Sequence, residues 1–179
     1  MGAEKGSPKS RRGTGPRRGT GPLLGVKEGA KGSNKSRVLK HRGGCSWKGV
    51  RPEIYKKGGP ENWTRVARHL LVAGQKGENT KFHLRYFEVS PGGYTSLETH
   101  RHEHVVVVIK GRGQVRLGRR LHELDYLDTI YIGPDEPHRL LNPYGEPFGF
   151  FCIVDARRDK PVPLEAPLDQ TALAGRRRG

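Results

Sequence analysis

The chain has 179 residues, 32% of them hydrophobic and 29% charged, with 26 Gly, 13 Pro and a formal net charge of +16. That length suits one domain with a real core plus unstructured material, and no apolar run approaches membrane-spanning length. The charge is uneven: residues 1–45 carry twelve Lys and Arg against two acids, while residues 46–170 carry nineteen against sixteen, so the folded part is not in itself a polycation built for nucleic acid.

Residues 1–45 are of low complexity. Arg11-Arg12-Gly13-Thr14-Gly15-Pro16 recurs at once as Arg17-Arg18-Gly19-Thr20-Gly21-Pro22, and a stretch with almost no apolar periodicity cannot offset its chain entropy. A disordered basic tail is expected, either without a specific partner or touching nucleic acid or an acidic surface non-specifically. The N-terminus lacks the apolar region of a secretory signal, and Gly6 stands where a myristoylation signal wants Ser or Thr. The default location is cytoplasmic and reducing. There Cys45 and Cys152 make no disulfide framework, and Cys152 reads as a buried small hydrophobe in the run Phe148–Val154.

Order is expected from about Trp47. Residues 46–80 bring Trp47, Val50, Ile54, Tyr55, Trp63 and Leu70-Leu71-Val72, read as an N-terminal arm with one or two strands covering a sheet. Residues 81–156 hold the regular pattern. Phe82–Val89 alternates as a half-buried strand and ends at Ser90-Pro91-Gly92-Gly93. Short strands follow at Gln114–Leu117, Arg120–Leu124, Thr129–Ile132, His138–Leu141 and Phe148–Val154, separated by Gly and Pro turns with no convincing helix. This predicts an all-β antiparallel sandwich or small barrel. Residues 157–179 form a Pro- and Arg-rich C-terminal extension.

The centre of the pattern is Glu98-Thr99-His100-Arg101-His102-Glu103-His104, followed by Val105-Val106-Val107-Val108-Ile109 and Lys110-Gly111. On a strand, residues two apart share a face, so Glu98, His100, His102 and His104 point one way. One carboxylate and three imidazoles there make sense if they share a cation. The valine run is apolar on both faces: one belongs inside a barrel, and the other needs the Trp47–Val72 arm or a second copy of the chain. A homodimer is expected. His138, opening a strand after the Gly133-Pro134 turn, is a fourth candidate imidazole.

These residues resemble the two motifs of the cupin superfamily, in particular small single-domain cupins. Gly93, His100, His102 and Gly111 match the first motif; Asp128, Pro134, His138 and Asn142 match the second. The resemblance spans about Phe82 to Val154 and implies a double-stranded β-helix, or jelly-roll barrel, holding a divalent metal (Zn, Ni, Fe or Mn). Counted back from Gly111, the family's glutamate falls on His104 and its two histidines on Glu98 and His100. Two ligand sets are therefore open: Glu98, His100, His104 and His138, or His100, His102, His104 and His138. Asp125 and Leu127 replace the Pro and Gly usual in the second motif. Tyr86, Tyr94, Arg85 and Arg101 can reach a barrel mouth, and no catalytic acid or base stands out. The expectation is a mononuclear metal enzyme of dioxygenase, isomerase or decarboxylase type acting on a small polar molecule; the alternative is a non-catalytic cupin that binds or senses one.

Overall fold

The computed structural model describes residues 36–56 and 62–164, in which the regular elements are all strands. The basic run on which disorder and nucleic-acid contact were expected falls mostly in residues 1–35, outside the described residues, as does the end of the C-terminal extension. Among the described residues no helix is long and apolar enough to cross a membrane.

The backbone of the fold is β3 (Phe82–Tyr94), which pairs with β2 (Thr64–Val72) on one side and β10 (Phe148–Asp155) on the other. β5 (His104–Lys110) lies beyond β10, and β8 (Thr129–Ile132) beyond β5. β4 (Glu98–Thr99) and β6 (Gly113–Leu117) flank β9 (His138–Leu141), and β7 (Arg120–Leu124) pairs with β6. Two short edge strands finish the sheet: β1 (Pro52–Ile54) on β2, and β11 (Val162–Pro163) on β4. All pairs are antiparallel, and the sheet curls into a jelly-roll barrel.

Alternation decides what faces inward. Val106, Val108, Val115, Ile132, Phe148, Phe150 and Val154 fill the core with Phe87 and Val89. The intervening residues face out, and there the N-terminal arm covers part of the sheet: Trp47 lies 5.1 Å from Tyr86 and 6.5 Å from Phe151, ring to ring. The arm's contacts begin upstream of Trp47, where His41 bridges to Trp47 and Cys45 donates to Glu88.

Asn142, matched from sequence to the second motif, is a structural clamp. Fully buried, it donates to the carbonyls of Val89 and Glu146 at 2.8 Å each and accepts from the Tyr144 amide at 3.0 Å, fixing the β9–β10 turn. Gly111 is required where β5 ends: its φ is +60°, and a Cβ would sit 2.3 Å from the Pro147 carbonyl oxygen.

Candidate metal centre

The sequence reading treats Glu98 to His104 as one strand; the chain instead leaves β4 after Thr99, bends through Arg101 and His102, and re-enters as β5 at His104. The bend supplies the curvature that a straight strand lacks. It folds His100 back over His104, ring centroids 4.5 Å apart, and the β4–β9 pairing sets Glu98 opposite His138 and brings His138 in from the other side. One ring nitrogen from each of His100, His104 and His138 lies within 4.8 Å of the other two, and all three side chains are buried.

Outer partners orient the rings. His100 Nδ1 donates to the His102 carbonyl at 2.7 Å and His138 Nδ1 to the Glu136 carbonyl at 2.8 Å. Nδ1 of His104 faces the Cys152 sulfur at 3.7 Å. With Nδ1 so engaged, Nε2 of each ring is left to carry the lone pair, that of His104 lying 3.1 Å from His102 Nε2, the arrangement in which outer contacts set the tautomer of a metal ligand. Burial, reinforced by neighbouring imidazoles, pushes His100 down to about 4 and lowers His104 and His138 as well, so all three are neutral near pH 7. His100 Nε2 is buried with no hydrogen-bond partner among the described residues. Leaving such an atom unsatisfied costs about 1–3 kcal/mol, a cost that a shared cation removes. The donor set therefore fits a divalent transition metal.

His102 stacks on His100 at 3.6 Å, and its Nε2 lies 3.1 Å from His104 Nε2. Its Nδ1 donates to Asp159 at 2.7 Å. Asp159 also accepts from the Arg101 and His102 amides, which hold its carboxyl far below the ordinary range. Glu98 is buried but engaged elsewhere, in an ion pair with Lys56 and accepting from Ser96 Oγ at 2.6 Å. Burial alone would raise its carboxyl; the Lys56 ammonium outweighs that and lowers it.

A cavity of about 160 Å³ opens beside the histidines, and Cys152, Arg85, Lys56 and Arg158 are among the residues lining it. The sulfur of Cys152 accepts from Arg85 Nη2 at 3.2 Å as well as facing His104. Burial pushes this thiol up, and the Arg85 guanidinium opposes that. Of the other side chains thought able to reach the mouth, Tyr86 turns outward under Trp47, Tyr94 lies beneath the Arg139 guanidinium, and Arg101 is exposed. Sequence reasoning missed Cys152, Asp159 and Lys56 as neighbours of the histidines. Cys152 carried a usable signal: its parity with Phe148 and Phe150 sets it on the inner face that His104 also occupies.

The Cupin domain family matches residues 85–154. A 1-methylthio-D-xylulose 5-phosphate methylsulfurylase of Rhodospirillum rubrum is 41% identical over 125 residues, covering 68% of this chain and 77% of that protein. Among solved structures, a cupin-2 domain from Rhodospirillum rubrum superposes with a TM-score of 0.62 at 34% identity, over 76% of this chain and 88% of the other. A cupin 2 conserved barrel domain protein from Rhodopseudomonas palustris does so with 0.65 at 33%, over 76% and 92%. With the barrel, the converging histidines and these relatives in agreement, the chain belongs to the cupin family.

Proposed function

We propose that this chain is a metal-dependent cupin enzyme that breaks the carbon–sulfur bond of a phosphorylated methylthio-ketose, with Cys152 taking up the methylthio group. The observation that carries the reading is the Cys152 sulfur, which shares the cavity with the histidines and faces both His104 Nδ1 and Arg85 Nη2. Kinship with a methylsulfurylase supplies the substrate class. It replaces the dioxygenase, isomerase and decarboxylase types because a buried thiol beside the imidazoles suits sulfur transfer.

His100, His104 and His138 hold the metal (Zn, Ni, Fe or Mn), with His102 or Glu98 in a further position. Such an ion would supply Lewis-acid polarisation of a carbonyl next to the reacting carbon. The protein's own groups prepare the sulfur. In the tautomer with the proton on Nδ1, His104 joins Arg85 in donating to Cys152, which favours the thiolate. The thiolate attacks the methylthio sulfur; an S–S bond forms as the C–S bond breaks. The electron pair passes to the ketose carbon, which takes a proton from water. A methyl disulfide remains on Cys152, and a small thiol reduces it. As part of the same reading, the protein works as a homodimer in a reducing cytoplasm, where Cys152 stays reduced.

The test is incubation of metal-loaded protein with 1-methylthio-D-xylulose 5-phosphate without added thiol. The expected result is a protein mass increase of one methylthio group, reversed by thiol and absent in Cys152→Ser. His104→Ala should lose both the metal, by elemental analysis, and turnover. Wild-type rates in Cys152→Ser would remove the thiol's role. No turnover by metal-replete wild type would favour the non-catalytic, small-molecule-binding cupin.

A further inference from the structure

We infer that Arg85 and Arg158, together with Arg68, form an anion clamp beside the metal centre that takes the phosphate group of the substrate. The identity of the sugar rests on the function proposed above; the clamp rests on the side chains. The three arginines come from separate segments, β2, β3 and the turn after β10, and line the cavity that also holds His104 and Cys152. Register explains two of them: Arg85 stands across from Cys152, and Arg68 across from the core residue Phe87.

These charges are poorly compensated. Among the described residues no carboxylate lies within 4.0 Å of the Arg85 or Arg158 guanidinium. Arg85 donates to the Cys152 sulfur, a weak acceptor, and lies over the Phe87 ring at 5.2 Å, while its Nε is buried without a partner. Arg158 donates to His83 Nδ1 at 2.8 Å and to the Asp155 carbonyl at 3.2 Å, both uncharged acceptors. Arg68 is balanced by Glu53 at 3.1 Å, but its Nε is also buried and unpaired. Burial, with Arg85 and Arg68 nearby, holds the Arg158 guanidinium below its ordinary range.

Lys56 at the cavity is already paired with Glu98, and the nearby Asp159 with His102 and two amides. Two uncompensated guanidiniums remain. A phosphate monoester, carrying roughly −1.5 to −2 near neutral pH, matches that count, and its oxygens accept the paired N–H donors that arginine presents. A lone carboxylate supplies one charge and leaves the second guanidinium buried and unbalanced.

Inorganic phosphate is the probe, titrated calorimetrically into full-length, metal-loaded protein with acetate as the monoanionic comparison. Phosphate should bind and acetate should not compete. Arg158→Gln should weaken phosphate by about ten-fold or more, Arg85→Lys less because it keeps its charge, and the exposed Arg120→Gln should bind as wild type. Metal content is measured in each variant, so that a general loss of folding is visible. On the methylthio-ketose phosphate, Arg158→Gln should raise KM by a similar factor with kcat little changed, a split that a merely structural defect does not produce. Failure of wild type to bind phosphate, or equal affinity in wild type, Arg158→Gln and Arg85→Lys, would overturn the clamp. If wild type binds phosphate through these arginines yet leaves the ketose untouched, the clamp stands and the proposed reaction falls.

Discussion

Leu127 holds a strained backbone in the turn before β8, with φ at +71° and the side chain 61% exposed. A non-glycine residue in this region costs about 1–3 kcal/mol, and the exposed side chain recovers little of it. The turn survives because Leu127 N donates to the Val108 carbonyl at 2.9 Å, while Asp128 accepts from the Asp125 amide at 2.7 Å. Leu127→Gly is expected to stabilise the protein by about 0.5–1 kcal/mol after allowing for glycine's greater freedom in the unfolded chain. Urea unfolding checks this, and metal content should not change. The motif comparison marks this position as a missing glycine, so the altered turn was legible in the sequence, but its strain was not. The convergence of His100, His104 and His138 was legible only in part. Alternation sets His100, His102 and His104 on one face, but the bend at Arg101–His102 selects which nitrogens meet. Asp159, 57 residues from His102, gave no local sign of belonging there.

At the scale of the element, the N-terminal arm is tied to the outer face of β3 through Glu88. Cys45, Tyr86 and Lys110 all donate to its carboxylate, the last two at 3.0 and 2.8 Å. Burial alone would raise this carboxyl, and the three donors bring it below its ordinary 4.5. Below that pH the unfolded chain binds the proton more readily than the folded one, so the group's contribution is present near neutrality and fades as pH falls through the lowered value. The stability gap between wild type and Glu88→Gln should therefore be widest above about pH 5 and narrow on further acidification, read from denaturant midpoints along a pH series. A gap independent of pH would contradict it. Most strands lie where period-two alternation puts them, because antiparallel strands with one wet face write that alternation directly. Besides the break between β4 and β5, the departure is β3, which runs through Ser90-Pro91-Gly92-Gly93 to Tyr94 although that stretch reads as a turn. Its path is held by partners remote in sequence, the Gly92 amide donating to the Asn142 carbonyl and the Asn142 amide to Gly93.

For the whole molecule, the outer face of the valine strand is only partly covered. Trp47 reaches Phe151, but Val105 and its register partners Ile153 and Tyr131 stay open, with exposures of 36, 36 and 60%. A contiguous apolar stripe of this kind fits a second copy of the chain. Ile153→Lys is expected to convert a dimer to a monomer by light scattering after gel filtration, with metal binding intact; a monomeric wild type would remove the homodimer. The division of labour across the chain follows the family match. Residues 85–154 contain all four candidate histidine ligands, Cys152 and Arg85, whereas Lys56, Arg68, Arg158 and Asp159 flank that stretch. β11 brings the chain back against β4 just after Arg158 and Asp159. On the reading proposed above, the reacting groups lie in the matched barrel, while Lys56, Arg68 and Arg158 reach its cavity from the segments on either side, like a collar on a vessel. On that reading, changes confined to this collar would refit the vessel to new cargo without recasting it.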